Sequence, residues 1–210
     1  LKMRKISIVI LLMCLLAEAS SAQNTVALDA LYARMTSSAT SMQYTYSLLP
    51  SSGVKLSGEG SVMVQDSAYV MKGNGMELYC DGKTVWIVDT EGKEVMIESP
   101  AEGDEAYLDN PALLFVNMDK VFRVDGSKRN GSILSYVLSS KVESGVRTAS
   151  VSIDDSGSTP VMISASFSLS DGSSLDIKIK SMTFSEKKPL TSFFYDISSL
   201  NSSWLITDLR

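Results

Sequence analysis

Towards its C-terminal end the chain alternates apolar and polar residues with a period of two. Val161, Ile163, Ala165, Phe167 and Leu169 fall on one side against Met162, Ser164, Ser166 and Ser168. After the Asp171-Gly172 turn, Leu175, Ile177 and Ile179 oppose Asp176, Lys178 and Lys180. Successive side chains of a strand point to opposite faces, so this pattern prescribes antiparallel strands with one apolar face and one wet face. A sheet of that kind must find something to cover its apolar face.

The same period appears earlier. Tyr44, Tyr46 and Leu48 alternate with Gln43, Thr45 and Ser47, and turn residues at Gly58, Asp66-Ser67, Gly73-Asn74-Gly75, Asp81-Gly82 and Glu91-Gly92-Lys93 separate short runs of Val, Met, Tyr and Ile. This reads as a meander of hairpins. Two stretches break it. From Asn24 to about Ser41 the pattern is helical, with Val26, Leu28, Leu31, Tyr32 and Met35 near one stripe. Between Pro100 and Gly126 an acidic stretch leads to Asn110-Pro111 and then Leu113, Leu114, Phe115, Val116, Met118, Val121 and Phe122. That is a helix opening on proline and more apolar than a surface helix needs to be. The expected class is α+β, mostly β, in one domain.

Lys2, Arg4 and Lys5 precede an apolar run from Ile6 to Ala17, too short to cross a bilayer as a helix and ending in Ser20-Ser21-Ala22. This is the pattern of a cleaved secretory signal peptide over residues 1–22, leaving a mature domain over residues 23–210. Cys14 has a leucine three residues before it, as a lipidated cysteine does, but it lies inside the apolar run with the large Met13 beside it, which favours soluble export. Cleavage removes three cations and one anion, shifting the net charge from −5 to −7. Only Cys80 then remains, so no internal disulfide can form.

Histidine is absent. The usual proton shuttle, the commonest metal ligand and every Ser-His or Cys-His nucleophile pair go with it. Asp154-Asp155 and Asp104-Glu105 read as solvated turn residues, and Cys80 as a small hydrophobe. An enzyme is not expected, nor a metal or cofactor. With no cluster of cations on an acidic chain, nucleic acid is not an expected partner.

The two helices are the long apolar elements available to cover the sheet. If they pack permanently, the chain is a stable α+β domain; if they lift, the same face is a lipid site. Nine methionines in the mature chain suit either case, because thioethers fill irregular cores and also re-pack around varied apolar ligands.

Gly75 to Trp86, with its Asp81-Gly82-Lys83-Thr84-Val85-Trp86 hairpin, then Glu94-Val95, Glu98-Ser99-Pro100 and Asn110-Pro111 before Leu113-Leu114, resembles the outer-membrane lipoprotein carrier protein family, LolA and LolA-like proteins. The signal peptide, the first helix, Gly58-x-Gly60 and the closing Ile206 to Arg210 strand fit in order. The resemblance implies an unclosed antiparallel β-barrel, a strongly curved sheet whose concave apolar face is covered by helices. It implies a monomeric periplasmic chaperone carrying acylated lipoproteins. An inner-membrane lipoprotein release complex would load it, and an outer-membrane acceptor would unload it. The alternative is a LolA-like sensing or scaffolding module of the cell envelope with a permanently filled core.

Strand phase then nominates an acyl-chain cavity lined by Tyr44, Tyr46, Tyr69, Met71, Met76, Leu78, Val85, Ile87, Val95, Ile97, Ile163, Phe167, Ile177 and Ile179, under a lid helix bearing Leu113, Leu114, Phe115 and Met118. Trp86 opposes the hairpin phase. The family's lid-latching arginine and its following proline are replaced here by Gln65 and Asp66, which leaves Gln65 as the expected lid contact, without charge assistance.

Overall fold

The computed structural model describes residues 25–101, 117–143 and 145–210. The signal-peptide expectation and Leu113, Leu114 and Phe115 of the expected lid lie outside these residues.

Helix α1 (Val26–Ser37) opens the described chain, and strands follow almost without interruption. These are β1 (Ala39–Leu49), β2 (Leu56–Gln65), β3 (Ala68–Gly73), β4 (Met76–Cys80), β5 (Val85–Asp89) and β6 (Glu94–Glu98). A single helical turn, α2 (Met118–Val121), precedes β7 (Phe122–Asn130), β8 (Ile133–Ser140), β9 (Val146–Asp154), β10 (Val161–Leu169) and β11 (Ser174–Ser185). Two 3-10 turns, Leu190–Phe193 and Ile197–Ser199, lead to β12 (Leu205–Asp208). The first helix is shorter than its sequence pattern suggests. Ser38 Oγ donates to the Arg34 carbonyl at the helix end, and extended backbone begins at Ser38.

All twelve strands form one sheet in the order β12-β6-β5-β4-β3-β2-β1-β11-β10-β9-β8-β7. Every pairing is antiparallel except β12 on β6, which is parallel. The end strands β12 and β7 do not pair with each other, so the barrel is unclosed. Two local meanders, β1 to β6 and β7 to β11, meet along the β1–β11 seam, where Ala39 faces Ser185.

The main core joins Ala27, Leu28, Leu31 and Met35 of α1 to Cys80 and Val85 at one side of the sheet and to Leu134, Tyr136 and Leu138 at the other. β5 and β8 are eight inter-strand steps apart, about 38 Å if laid flat. A 12-residue helix is about 18 Å long. One buried cluster can include both sides because the sheet curls around the helix.

Among the described residues, the opposite, outer face is covered over β2 to β6. There the chain after β11 runs back as a strap. Phe193, fully buried, packs on Ala68 and Val70. Tyr195, Ile197, Leu200 and Trp204 pack against Trp86, Val88, Val95 and Ile97. The strap is fastened at its start by Gln65, whose Nε2 donates to the Lys188 carbonyl (3.0 Å) and whose Oε1 accepts from the Lys188 amide (2.7 Å). Gln65 pairs with Ala68 and faces outwards with it, on the side where the strap runs. A side-chain amide offers both an N–H donor and a carbonyl acceptor, which matches a peptide backbone and needs no charge.

Candidate inner-face binding site

The register arranges the α1 side of β1 to β6 in cross-strand rows. Thr40, Val64, Tyr69, Cys80 and Val85 form the first row, and all of them are buried. Thr40 Oγ1 lies there without a hydrogen-bond partner, and burial pushes the Cys80 thiol pKa up, as expected of a thiol that serves as a small hydrophobe.

The second row runs Met42, Val62, Met71, Leu78, Ile87 and Met96. Its exposure rises across the sheet. Met42 and Val62 are buried, Met71, Leu78 and Ile87 half-buried, and Met96 is 39 % exposed. Beyond it lie Tyr44, Tyr46 and Met76, the last 37 % exposed. Across the seam, Ile179, Ile177 and Leu175 oppose Tyr44, Tyr46 and Leu48 on the same face. Half of the inner face is therefore sealed among the described residues, and half is an apolar surface of methionines, leucines, isoleucines and two tyrosines that still meets solvent.

Glycines set the tyrosine positions. A Cβ on Gly60 would sit 2.9 Å from the Tyr44 hydroxyl, and one on Gly58 would sit 2.9 Å from that of Tyr46. Both rings thus lie down over bare backbone, with centroids 6.5 Å apart. The Tyr46 hydroxyl accepts from Asn74 Nδ2 at 2.6 Å. Burial, and secondarily its tyrosine neighbour, raises the Tyr44 phenol pKa above the ordinary range. Gly58-x-Gly60, read from the sequence only as the opening of a strand, is the floor on which these rings rest.

No known protein-family model matches the chain, and no curated protein matches it. Solved structures do. A LolA superfamily protein from Nitrosomonas europaea is 11% identical, the match covering 84% of this chain and 99% of that one, with a TM-score of 0.45. A DUF1329 family protein from Desulfovibrio piger is 12% identical over 84% of this chain and 98% of that one, also with a TM-score of 0.45. An outer membrane lipoprotein-sorting protein domain from Vibrio parahaemolyticus is 10% identical over 80% and 94%, with a TM-score of 0.43.

Of the residues nominated from sequence, Tyr44, Tyr46, Tyr69, Met71, Leu78, Val85, Ile87, Phe167, Ile177 and Ile179 belong to or pack against the α1-side cluster, and Met76 shares the face of Leu78. Met118 is buried in the same cluster from α2. Three depart. Val95 and Ile97 face outwards under the strap, because Ile87 pairs with Met96 and puts the methionine inside. Ile163 sits where the β9–β10 register shifts, and Met162 takes the buried place instead.

Outside the strap, the other face is mainly polar. In one row Ser135, Ser152, Ser164, Lys178, Thr45 and Glu59 follow one another across six strands. A groove of about 440 Å³ there is lined by residues such as Ser41, Gln43, Ser61, Lys72 and Thr183. Among the described residues no cluster of three or more Cys, Asp or Glu side chains is placed to hold a metal, and no helix is long and apolar enough to cross a membrane.

Proposed function

We propose that the protein is a periplasmic carrier that binds the acyl chains of lipoproteins non-covalently on its inner face and moves them from the inner to the outer membrane. The observation that carries this reading is the half-exposed apolar field of Met71, Leu78, Ile87, Met96, Tyr44 and Tyr46, continuous with a fully sealed core. An acyl chain laid there loses its water at about 0.8 kcal/mol per CH₂, which is the free energy a carrier must supply to keep a lipidated protein in solution. Flexible thioethers re-pack around chains of differing length and shape. The Gly75–Trp86 resemblance supports the same reading, as do the export signal over residues 1–22 and the absence of histidine.

The apolar Leu113, Leu114 and Phe115, followed by Met118, provide the lid in this proposal. The connection that contains them runs from β6, next to one edge of the sheet, to β7 at the other edge. A loading complex at the inner membrane and an acceptor at the outer membrane are the partners that such a cycle requires.

The test is titration of the purified protein with an environment-sensitive fluorescent acyl ester, followed by displacement with a purified triacylated lipoprotein. Saturable, displaceable binding is the expected result. No binding refutes the carrier reading in favour of a scaffold whose inner face is filled by the chain itself.

A further inference from the structure

The inner face also carries a charge pattern. On β1 to β6 and β11, the residues that share this face are apolar, aromatic, glycine or Thr40, except for Asp89, Glu94 and Glu98. The lysines of the same strands lie outside: Lys72 pairs with Glu77, Lys180 with Glu59, and Lys178 stands opposite Thr45. A ligand head arriving at the open end of the face meets carboxylates and no cation from these strands.

It also meets two phenols. The Tyr44 hydroxyl makes no hydrogen bond to any described residue, and Tyr46 uses its oxygen as an acceptor for Asn74, which leaves its own proton free to donate. An O–H donor satisfies an uncharged carbonyl. It does not offset the cost of drying a carboxylate next to like charges.

We propose that Tyr44, laid flat by Gly60, determines the specificity of this face: its hydroxyl donates to the carbonyl oxygen of an ester- or amide-linked acyl head, and free fatty acids are rejected. The inference rests on the acyl-binding reading above. It explains why a bulky tyrosine is accommodated over a glycine beside the apolar row that starts at Met42 and Val62. It also makes the site select acyl chains that are covalently attached to something else.

The experiment compares three fluorescent sixteen-carbon probes of one chain length, a methyl ester, the free acid at pH 8 and an alkyl chain without a carbonyl, on the wild-type protein and Tyr44→Phe. The wild type is expected to bind the ester at least tenfold more tightly than the acid. Tyr44→Phe should weaken ester binding about three- to tenfold, the worth of one neutral hydrogen bond, and leave the alkyl probe unchanged. Equal affinity for acid and ester, or equal weakening of ester and alkyl probes, overturns the proposal while the carrier reading stands. Binding of no probe at all overturns both. Glu94→Lys, at an exposed side chain, supplies the missing cation and should raise affinity for the acid at least threefold; no gain overturns the charge argument.

Discussion

Phe193→Ala tests whether the strap is a separable unit. Phe193 is fully buried on Ala68 and Val70, and truncating such a phenylalanine removes about 3–5 kcal/mol. Further along, Ile197, Leu200 and Trp204 pack on Val88, Val95 and Ile97 and β12 pairs with β6, so it is the first part of the strap that depends on Phe193. Gln65 holds its start, Phe194 meets Trp86 edge-on at 4.9 Å while itself 48 % exposed, and Tyr195 lies 5.1 Å from Tyr79. Losing this sealed aromatic should therefore release the first part of the strap, from Lys188 to Tyr195, while the sheet and its inner core, which share no side chain with Phe193, stay folded. The chain has two tryptophans, Trp86 under the strap and Trp204 on it, and they meet in one outer cluster. Their emission should shift to the red at low urea, well before the far-ultraviolet circular dichroism of the sheet is lost, whereas in the wild type the two transitions coincide. A variant whose tryptophan emission and circular dichroism still change together, with stability lowered by less than about 1 kcal/mol, would refute the account of the strap.

Two further outcomes follow from the same region. Gln65→Leu removes both hydrogen bonds to Lys188, whose exposure lets water replace them in part; a loss of about 1–2 kcal/mol is expected, with faster hydrogen exchange at the Lys188 amide, and an unchanged exchange rate there would contradict the latch. Asp208 at the end of β12 is held down to about 2 by hydrogen bonds from Arg210. Because the folded value is depressed, its contribution is present above the ordinary aspartate value near 4 and is lost as pH falls through about 2. A carboxyl titration by NMR with a midpoint near 4 would show that the pair does not form in solution.

Strand existence was readable from the chain because alternation and turn residues report the faces and ends of strands directly. Phase was readable only where alternation is clean. Ile177 and Ile179 alternate with charged residues and lie inside as expected. Val85-Trp86-Ile87-Val88 is apolar throughout, buries both its faces, and gives no phase to its neighbour. Val95 and Ile97 accordingly went to the wrong side, since the apolar partner they need, the strap, lies about a hundred residues away. Ile163 failed for a local reason, a register shift that sequence periodicity cannot show. Phe193-Phe194-Tyr195 was the available signal for the strap, three consecutive aromatics after the last clean strand. Gln65 was read as a lid contact, and its amide bonds the Lys188 backbone, a partner that sequence could not name because a neutral amide fits any backbone that passes it.

The seam between β1 and β11 also sets how this chain can fold. Each meander is made of near neighbours, but Ala39 cannot meet Ser185 until nearly the whole chain is available, and closing a loop of that size costs about 4 kcal/mol of chain entropy before any strand contact repays it. During synthesis, β1 therefore stands as an unpaired strand edge for as long as the C-terminal meander is missing, open to pairing with any other chain. Delivery of the complete chain before folding begins removes that hazard, since both sides of the seam then arrive together.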